Sequence, residues 1–506
     1  DKNVGVAKTV NLTETNGGAD RNNYTITAQG TTTANITAKA LTIGGITAGN
    51  KEYDGDALAT DPDGVNLIDV SAATFTGLVE GDTVTVSATG LFADKNVGVA
   101  KTVNLTETNG GTDVNNYTIT AQGTTTANIT QLASVTWTGN AGDGLWSTAS
   151  NWAGSAIPDQ NNVAAVVIPS AQSVTFDSDT VGTIGSTIAN SGTLTFNGAT
   201  DYTFGQQISG AGDLVKANTN TLTLSATNTY TGDTTISAGT LKLTGNLNSA
   251  TDLVIDTGAT LDLQAALTAA TLTLNGTISN TAGTSSLTIS GTSNLGGDVT
   301  TTGTQTYTSG VTLSAATVTL TTTDSNITFN GTIDSDGVSA RALTINLDGN
   351  SDGTTADVIF GNATADTLGA TNPLGAISIT GDLDLNAAIT SAASLSVSGT
   401  SNLGANVTTS STQTYTSGVT LSGGDRTLTG STVNFGDTIT GTGSHNLTIS
   451  GALDLDDAMT NVVNLSVSGT SNLGANVTTT GTQTYQGAVT LSAATVTLTT
   501  TDSNIT

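Results

Sequence analysis

The side chains able to do chemistry are few, and almost all of them are carboxylates. One histidine, His445, sits in the turn-like segment GTGSHNLTIS, and the chain has no cysteine to act beside it or to form disulfides. No G-x-S-x-G elbow, Walker loop or glycine fingerprint supplies a nucleophile or a phosphate cradle. Paired acids that could serve glycoside chemistry occur as LDLDDA (Asp454, Asp456, Asp457) and GDLDLNA (Asp382, Asp384). Such chemistry needs carboxylates clustered across a groove, usually beside cations. After residue 131 the only cations are Lys216, Lys242, Arg341 and Arg426, spread over more than 200 residues. Strand alternation places Asp454 and Asp456 on the outer face, opposite Leu453 and Leu455, so a solvated acidic strand is the expected outcome.

Two other ligand types are admitted by the pattern. Asp61 and Asp63 in DPDG, Asp334 and Asp336 in DSDG, and Asp348 and Asp352 in DGNSDG set close carboxylates around glycine turns. Structural calcium takes oxygen ligands of that kind, although none of these segments matches an EF-hand loop and Asp and Gly are ordinary turn residues. No other cofactor is expected. Trp137, Trp146 and Trp152, the only tryptophans, fall within VTWTGNAGDGLWSTASNWAGSAIP. They would serve either as a sugar-stacking platform or as an aromatic cap on an open β end. The cap is the stronger expectation, because large rings close a strand stack against edge-to-edge association.

Composition says what must position these groups. Sixty glycines, four prolines and few aromatics, with much Thr, Ser, Asn and Ala, indicate many short strands joined by tight turns. Residues 1–130 carry a net charge of −7 and residues 131–506 a net charge of −22, every acid of the latter part being Asp. That field repels nucleic acid and anionic headgroups, so neither is an expected partner. No apolar stretch approaches 18 residues, so no transmembrane helix is expected. The sequence opens at Asp1 without a signal peptide and stops within a repeat, as a fragment of a longer protein would.

Internal repeats organise the rest. Residues 1–37 recur almost unchanged at 94–130, a period of 93. We therefore read 1–37 as a partial repeat, 38–130 as a complete all-β module, 131–162 as a Trp-rich junction, and 163–506 as a repetitive β region cut in mid-repeat. In the last, TLTLSA, GTLKLTG and ATLDLQA alternate with period 2, which puts Leu222 with Leu224, Leu241 with Leu243 and Leu261 with Leu263 on one face. SGTSNLG recurs at 290, 398 and 468, each followed at a fixed offset by QTY at 305, 413 and 483. The spacings of 108 and 70 residues suggest five and three coils of roughly 22 residues. A short strand buries its apolar face only by stacking coil on coil. The expected fold is all-β: small spacer modules followed by a right-handed parallel β-helix of about 15 coils.

Three segments resemble known families. KEYDGDALAT, with Tyr53-Asp54-Gly55 before a strand, resembles the YDG-type repeat of large bacterial surface proteins, and Tyr53 is expected to pack beside its turn. LTLSATNTYTGDTTISAGTLKLTG (222–245) resembles the autotransporter-associated β-strand repeat. The SGTSNLG blocks and the tryptophan junction resemble filamentous-haemagglutinin-like and autotransporter-type adhesins. The resemblance implies a secreted or outer-membrane-associated, non-enzymatic stalk that attaches to a surface receptor or glycan. It also implies a secretion partner in the outer membrane, either two-partner or autotransporter barrel. Two other readings stand beside it: a carbohydrate-active β-helix, and a threonine-rich ice-binding solenoid, which would need a flat ladder of Thr aligned over many coils.

Overall fold

The computed structural model describes all residues except 62, 156, 160, 178–185, 350–355 and 363–364. It is nearly all β, with a small β-rich N-terminal region followed by a parallel β-solenoid of about 16 turns. The chain divides into two units, residues 1–135 with 152–164, and residues 136–151 with 165–506. The tryptophan junction is thus split: Trp137 and Trp146 belong with the solenoid and Trp152 with the N-terminal unit.

In the N-terminal unit, strand Gly98–Gly110 lies antiparallel between Thr85–Phe92 and Thr124–Thr130. Lys39–Gly44 pairs in parallel with Tyr117–Thr120 and antiparallel with Thr74–Thr76. Their apolar faces enclose a core of Ile43, Ile46, Tyr53, Phe92, Val103 and Ile129. Tyr53 is buried there, as its place beside the turn predicts. The partial repeat forms an antiparallel, largely exposed pair of Gly5–Asn11 with Thr31–Ile36, joined through a 3-10 turn at Arg21–Asn23.

The solenoid is built from three columns of short strands. In the first, Leu214, Thr234, Leu253, Leu272, Ser293, Val311 and Ile333 lie in successive coils. The second runs through Leu222, Leu241, Leu261, Ile278, Val299 and Leu320. The third runs through Leu267, Leu287, Gln305, Ile327, Val358 and Leu383. Period-2 alternation sends these residues inward, and nearly all are fully buried. Aromatic stacks add to the aliphatic core: Tyr307, Phe329 and Phe360 lie at 5.1 and 5.4 Å between centroids, and Tyr415 and Phe435 at 5.4 Å.

The expected coil length needs correction. Register steps are 18 residues from Ser293 to Val311, 22 from Val311 to Ile333 and 35 from Ile333 to Leu368. The duplicated blocks are not whole coils apart either. Ser293 lies in the first column, Ser401 in the third and Ser471 in the second. The copies are therefore four and two-thirds coils and then three and two-thirds coils apart. Whole-coil division failed because each coil holds three nearly equivalent strand slots, so a duplication can end on any of them.

Each copy nevertheless builds the same corner. Gln305 Nε2 donates to the carbonyls of Val299 (3.3 Å) and Thr321 (2.9 Å), and Tyr307 Oη donates to Gln305 Oε1 (3.1 Å). Gln413 with Tyr415, and Gln483 with Tyr485, repeat that network on the other two columns. A buried amide is tolerated because its donors and acceptor all find partners. Local sequence sets this corner, since it is the same on every face.

Candidate functional site

The YDG turn is organised by a residue that the motif reading passed over. Lys51 is 4 % exposed, and its ammonium contacts Asp54 at 2.8 Å and Asp56 at 3.0 Å and donates to the Leu58 carbonyl at 2.9 Å. The aspartates that flank Gly55 thus neutralise a buried cation. A buried charge is costly unless paired and hydrogen-bonded in this way.

In the solenoid unit, the segment before the first coils is tied by Asn151. Its Nδ2 donates to Asp143 (2.6 Å) and to the Leu145 carbonyl (3.1 Å), and its Oδ1 accepts from the Ala141 N–H (2.8 Å). Trp146 is fully buried and meets Phe176 edge to face at 5.5 Å, with Phe196 beyond Phe176 at 5.6 Å. Trp137 and Trp152 are also buried. Sugar stacking requires exposed ring faces, and none of the three indoles offers one; their burial supports packing instead.

Buried polar groups recur in the coils from Leu214 onward. Lys216 points inward, in phase with Leu214, and is 0 % exposed. Its ammonium donates to the carbonyls of Ala217 (2.5 Å), Asn218 (2.7 Å) and Ala238 (3.3 Å), joining the corner of one coil to the next. Burial pushes this amine from 10.5 down to about 8. Tyr230 is buried with its hydroxyl 2.7 Å from Thr234 Oγ1, which lies 3.0 Å from Thr251 Oγ1. Burial raises the phenol.

A groove of about 480 Å³ runs along the outer face of the second column. Its floor is the register row Thr203, Thr223, Lys242, Asp262 and Ser279. Asp262 accepts from Gln264 Nε2 (2.8 Å), the Thr281 N–H (2.9 Å) and Thr281 Oγ1 (2.7 Å), so its oxygens are engaged. Hydroxyls with one ammonium suit the hydrogen bonding of a polyhydroxylated ligand. The threonine row alongside, Thr221, Thr240, Thr260 and Thr277, spans four coils. Lys242 and Asp262 interrupt the floor, which is the ragged ladder expected from uneven repeats.

Comparison with known families now has geometry to rest on. Residues 37–127 match the YDG domain and residues 214–243 match the passenger-associated-transport-repeat. Together with the β-solenoid, these matches fit an autotransporter-like surface protein. No curated protein and no solved structure matches the chain. Lys216, Tyr230 and Thr234 all lie within the matched span of the passenger repeat.

The remaining candidate residues are dispersed. Asp454 and Asp384 face outward and accept from Asn472 Nδ2 (2.8 Å) and Asn402 Nδ2 (2.9 Å) of the next coil. Asp456 and Asp457 are exposed and His445 is half-buried. Carboxylates crowd where Asp357 lies beside Asp382 in register, with Asp384 near; desolvation and then those two charges raise the Asp357 carboxyl. Asp61 Oδ1 accepts from the Asp63 and Val65 N–H groups, and Asp334 Oδ1 from those of Thr371 and Asn372. Asp336 is paired with Arg341 at 2.6 Å, which holds its carboxyl down at about 2. A calcium ion at DSDG would have to displace that guanidinium. Among the described residues no three potential ligands converge on a metal position; Asp352 lies outside them.

Lys216 sets a pH dependence. Between about pH 8 and 10.5 the folded chain holds a neutral amine while the unfolded chain holds an ammonium, so the unfolded state binds more protons and stability rises with pH. From pH 7 to 9.5 this gain is about 2 kcal/mol. Lys216→Met should abolish the gain, as read from paired urea melts at the two pH values. An identical pH response in both proteins would refute it.

Proposed function

We propose that the chain is a non-enzymatic, surface-exposed passenger stalk that attaches its cell to glycans or other surfaces through many weak contacts. The observation that carries this reading is a passenger repeat built into an unbroken ladder of stacked coils. Along that ladder the acidic side chains Asp384 and Asp454 each accept a hydrogen bond from an asparagine of the next coil. The hydroxyl-lined groove is the proposed glycan contact, and repetition along a stalk turns modest affinities into strong attachment. In this reading the protein is exported to the outer surface with an outer-membrane partner, and the YDG module serves as a spacer.

Adhesion and catalysis separate in one experiment. The purified chain, immobilised on beads and presented with a panel of bacterial and host polysaccharides, should retain at least one and release no shorter products. Attachment should weaken markedly when the chains are presented singly at low density. Cleavage of a retained polysaccharide would replace the stalk by a carbohydrate-active β-helix. Retention of none would remove the glycan contact.

A further inference from the structure

The partial repeat 1–37 and the complete module 38–130 meet at a defined joint. Lys2 Nζ lies 2.6 Å from Asp82 and 2.7 Å from Asp113, whose side chains are only 10 and 9 % exposed. The acceptors are already fixed by the module. Tyr117 Oη donates to Asp82 Oδ2 at 2.6 Å, and the Thr83 N–H donates to Asp113 Oδ2 at 2.9 Å. Beside them, Asn116 Oδ1 accepts from the Val4 N–H at 2.9 Å, and Asn116 Nδ2 donates to Asn3 at 3.2 Å. Three consecutive residues of one repeat, Lys2, Asn3 and Val4, are thus read by three side chains of the next, Asp82, Asp113 and Asn116. The interaction holds Lys2 protonated and lowers both carboxyls, the Lys2 hydrogen bond being the largest cause for each.

The same knuckle recurs 93 residues later as Asp94-Lys95-Asn96-Val97. Its fold is the same. Ala7 and Ala100 take φ of 54° and 50°, and their N–H groups donate to Asn35 and Asn128 at 2.8 and 2.7 Å. Asp1 is paired with Lys8, and Asp94 with Lys101. Lys95 differs from Lys2 in its surroundings: it is exposed and takes part in none of the ion pairs among the described residues.

We propose that the acidic socket formed by Asp82, Asp113, Asn116 and Tyr117 is a docking site for the Lys-Asn-Val knuckle of another copy of this module, so that tandem modules lock head to tail. In this chain the occupant is the preceding repeat. The Lys95 knuckle is the donor half of the same joint, ready for the socket of a further copy. Two nearly buried carboxylates facing one another repel unless a cation lies between them, so the socket selects an ammonium. Because the joint is largely ionic, a string of modules would stiffen at low ionic strength and loosen as salt rises.

The duplicated knuckle supplies its own control. A two-stranded hairpin is marginal by itself, so protection of the amides in 5–11 and 31–36 reports docking. In the full chain, Lys2→Met should speed hydrogen exchange of those amides about tenfold, while Lys95→Met should leave 98–104 and 124–130 unchanged. Lys2 lies outside the module that it contacts, so the variant keeps that core intact. Unchanged exchange in Lys2→Met would overturn the proposal, and so would equal acceleration around both knuckles.

Discussion

Gly451→Val should unfold the C-terminal coils of the solenoid at a cost of at least about 4 kcal/mol while leaving the earlier coils folded. Gly451 has φ +153°, and a side chain there would overlap the carbonyl of Gly430 on the coil below. Gly469 and Gly487 continue the contact upward, each against the backbone of the glycine beneath it. Four coils therefore meet through backbone alone at this corner, and none can shift without breaking its neighbours' ladders. Stacked repeats are stabilised by their nearest neighbours, so the damage should stay local. Hydrogen exchange should rise from about residue 430 onward and stay low in coils 213–345. Gly443, with φ +78° and open space around it, separates backbone strain from the clash. Gly443→Val should cost no more than about 1–2 kcal/mol. Equal effects at the two sites would show that coil-to-coil approach is not the cause.

Trp146→Ala should cost about 3–5 kcal/mol, the range for a large buried ring removed from a packed site. Trp146 contacts Phe176, which also lies 5.2 Å from Tyr202, and Phe196 continues to Phe204 at 5.8 Å. These rings fill the first coils beside the aliphatic stacks Val166–Ile188–Ile208 and Val174–Leu194–Leu214. Loss of the indole should expose strands 173–176 and 193–196 to exchange, the opposite end from that disturbed by Gly451→Val. Trp146→Phe should recover most of the stability. If the alanine variant melts like the parent, the aromatic cluster does not anchor the solenoid.

Much of the fold was legible because period-2 alternation with glycine turns has few structural outcomes. Leu222 with Leu224, and Leu241 with Leu243, point inward as that alternation requires. The outward setting of Asp454 follows from the same rule. Coil length was not legible, because three similar slots per coil hide where one turn ends. The buried polar ties were missed for a different reason. Lys216 was counted among sparse cations, but phase distinguishes it: it follows Leu214 by two residues and so faces inward, whereas Lys242 lies between Leu241 and Leu243 and faces out. Gln305 is likewise in phase with Tyr307. Lys51 carried no such signal, since only the folded turn brings Asp54 and Asp56 back to it.

The placement of the three SNL blocks on three different columns has a consequence for recognition. Asn294, Asn402 and Asn472 are equivalent outward residues of first, third and second columns, so the duplications are related by a screw operation with a partial turn in it. What they print on the surface is a winding stripe, with no privileged front or back. A flat lattice such as ice could register with only one turn of such a stripe. A flexible chain wrapped around the stalk, or partners approaching from unrelated directions, would meet one SNL block on each of the three faces.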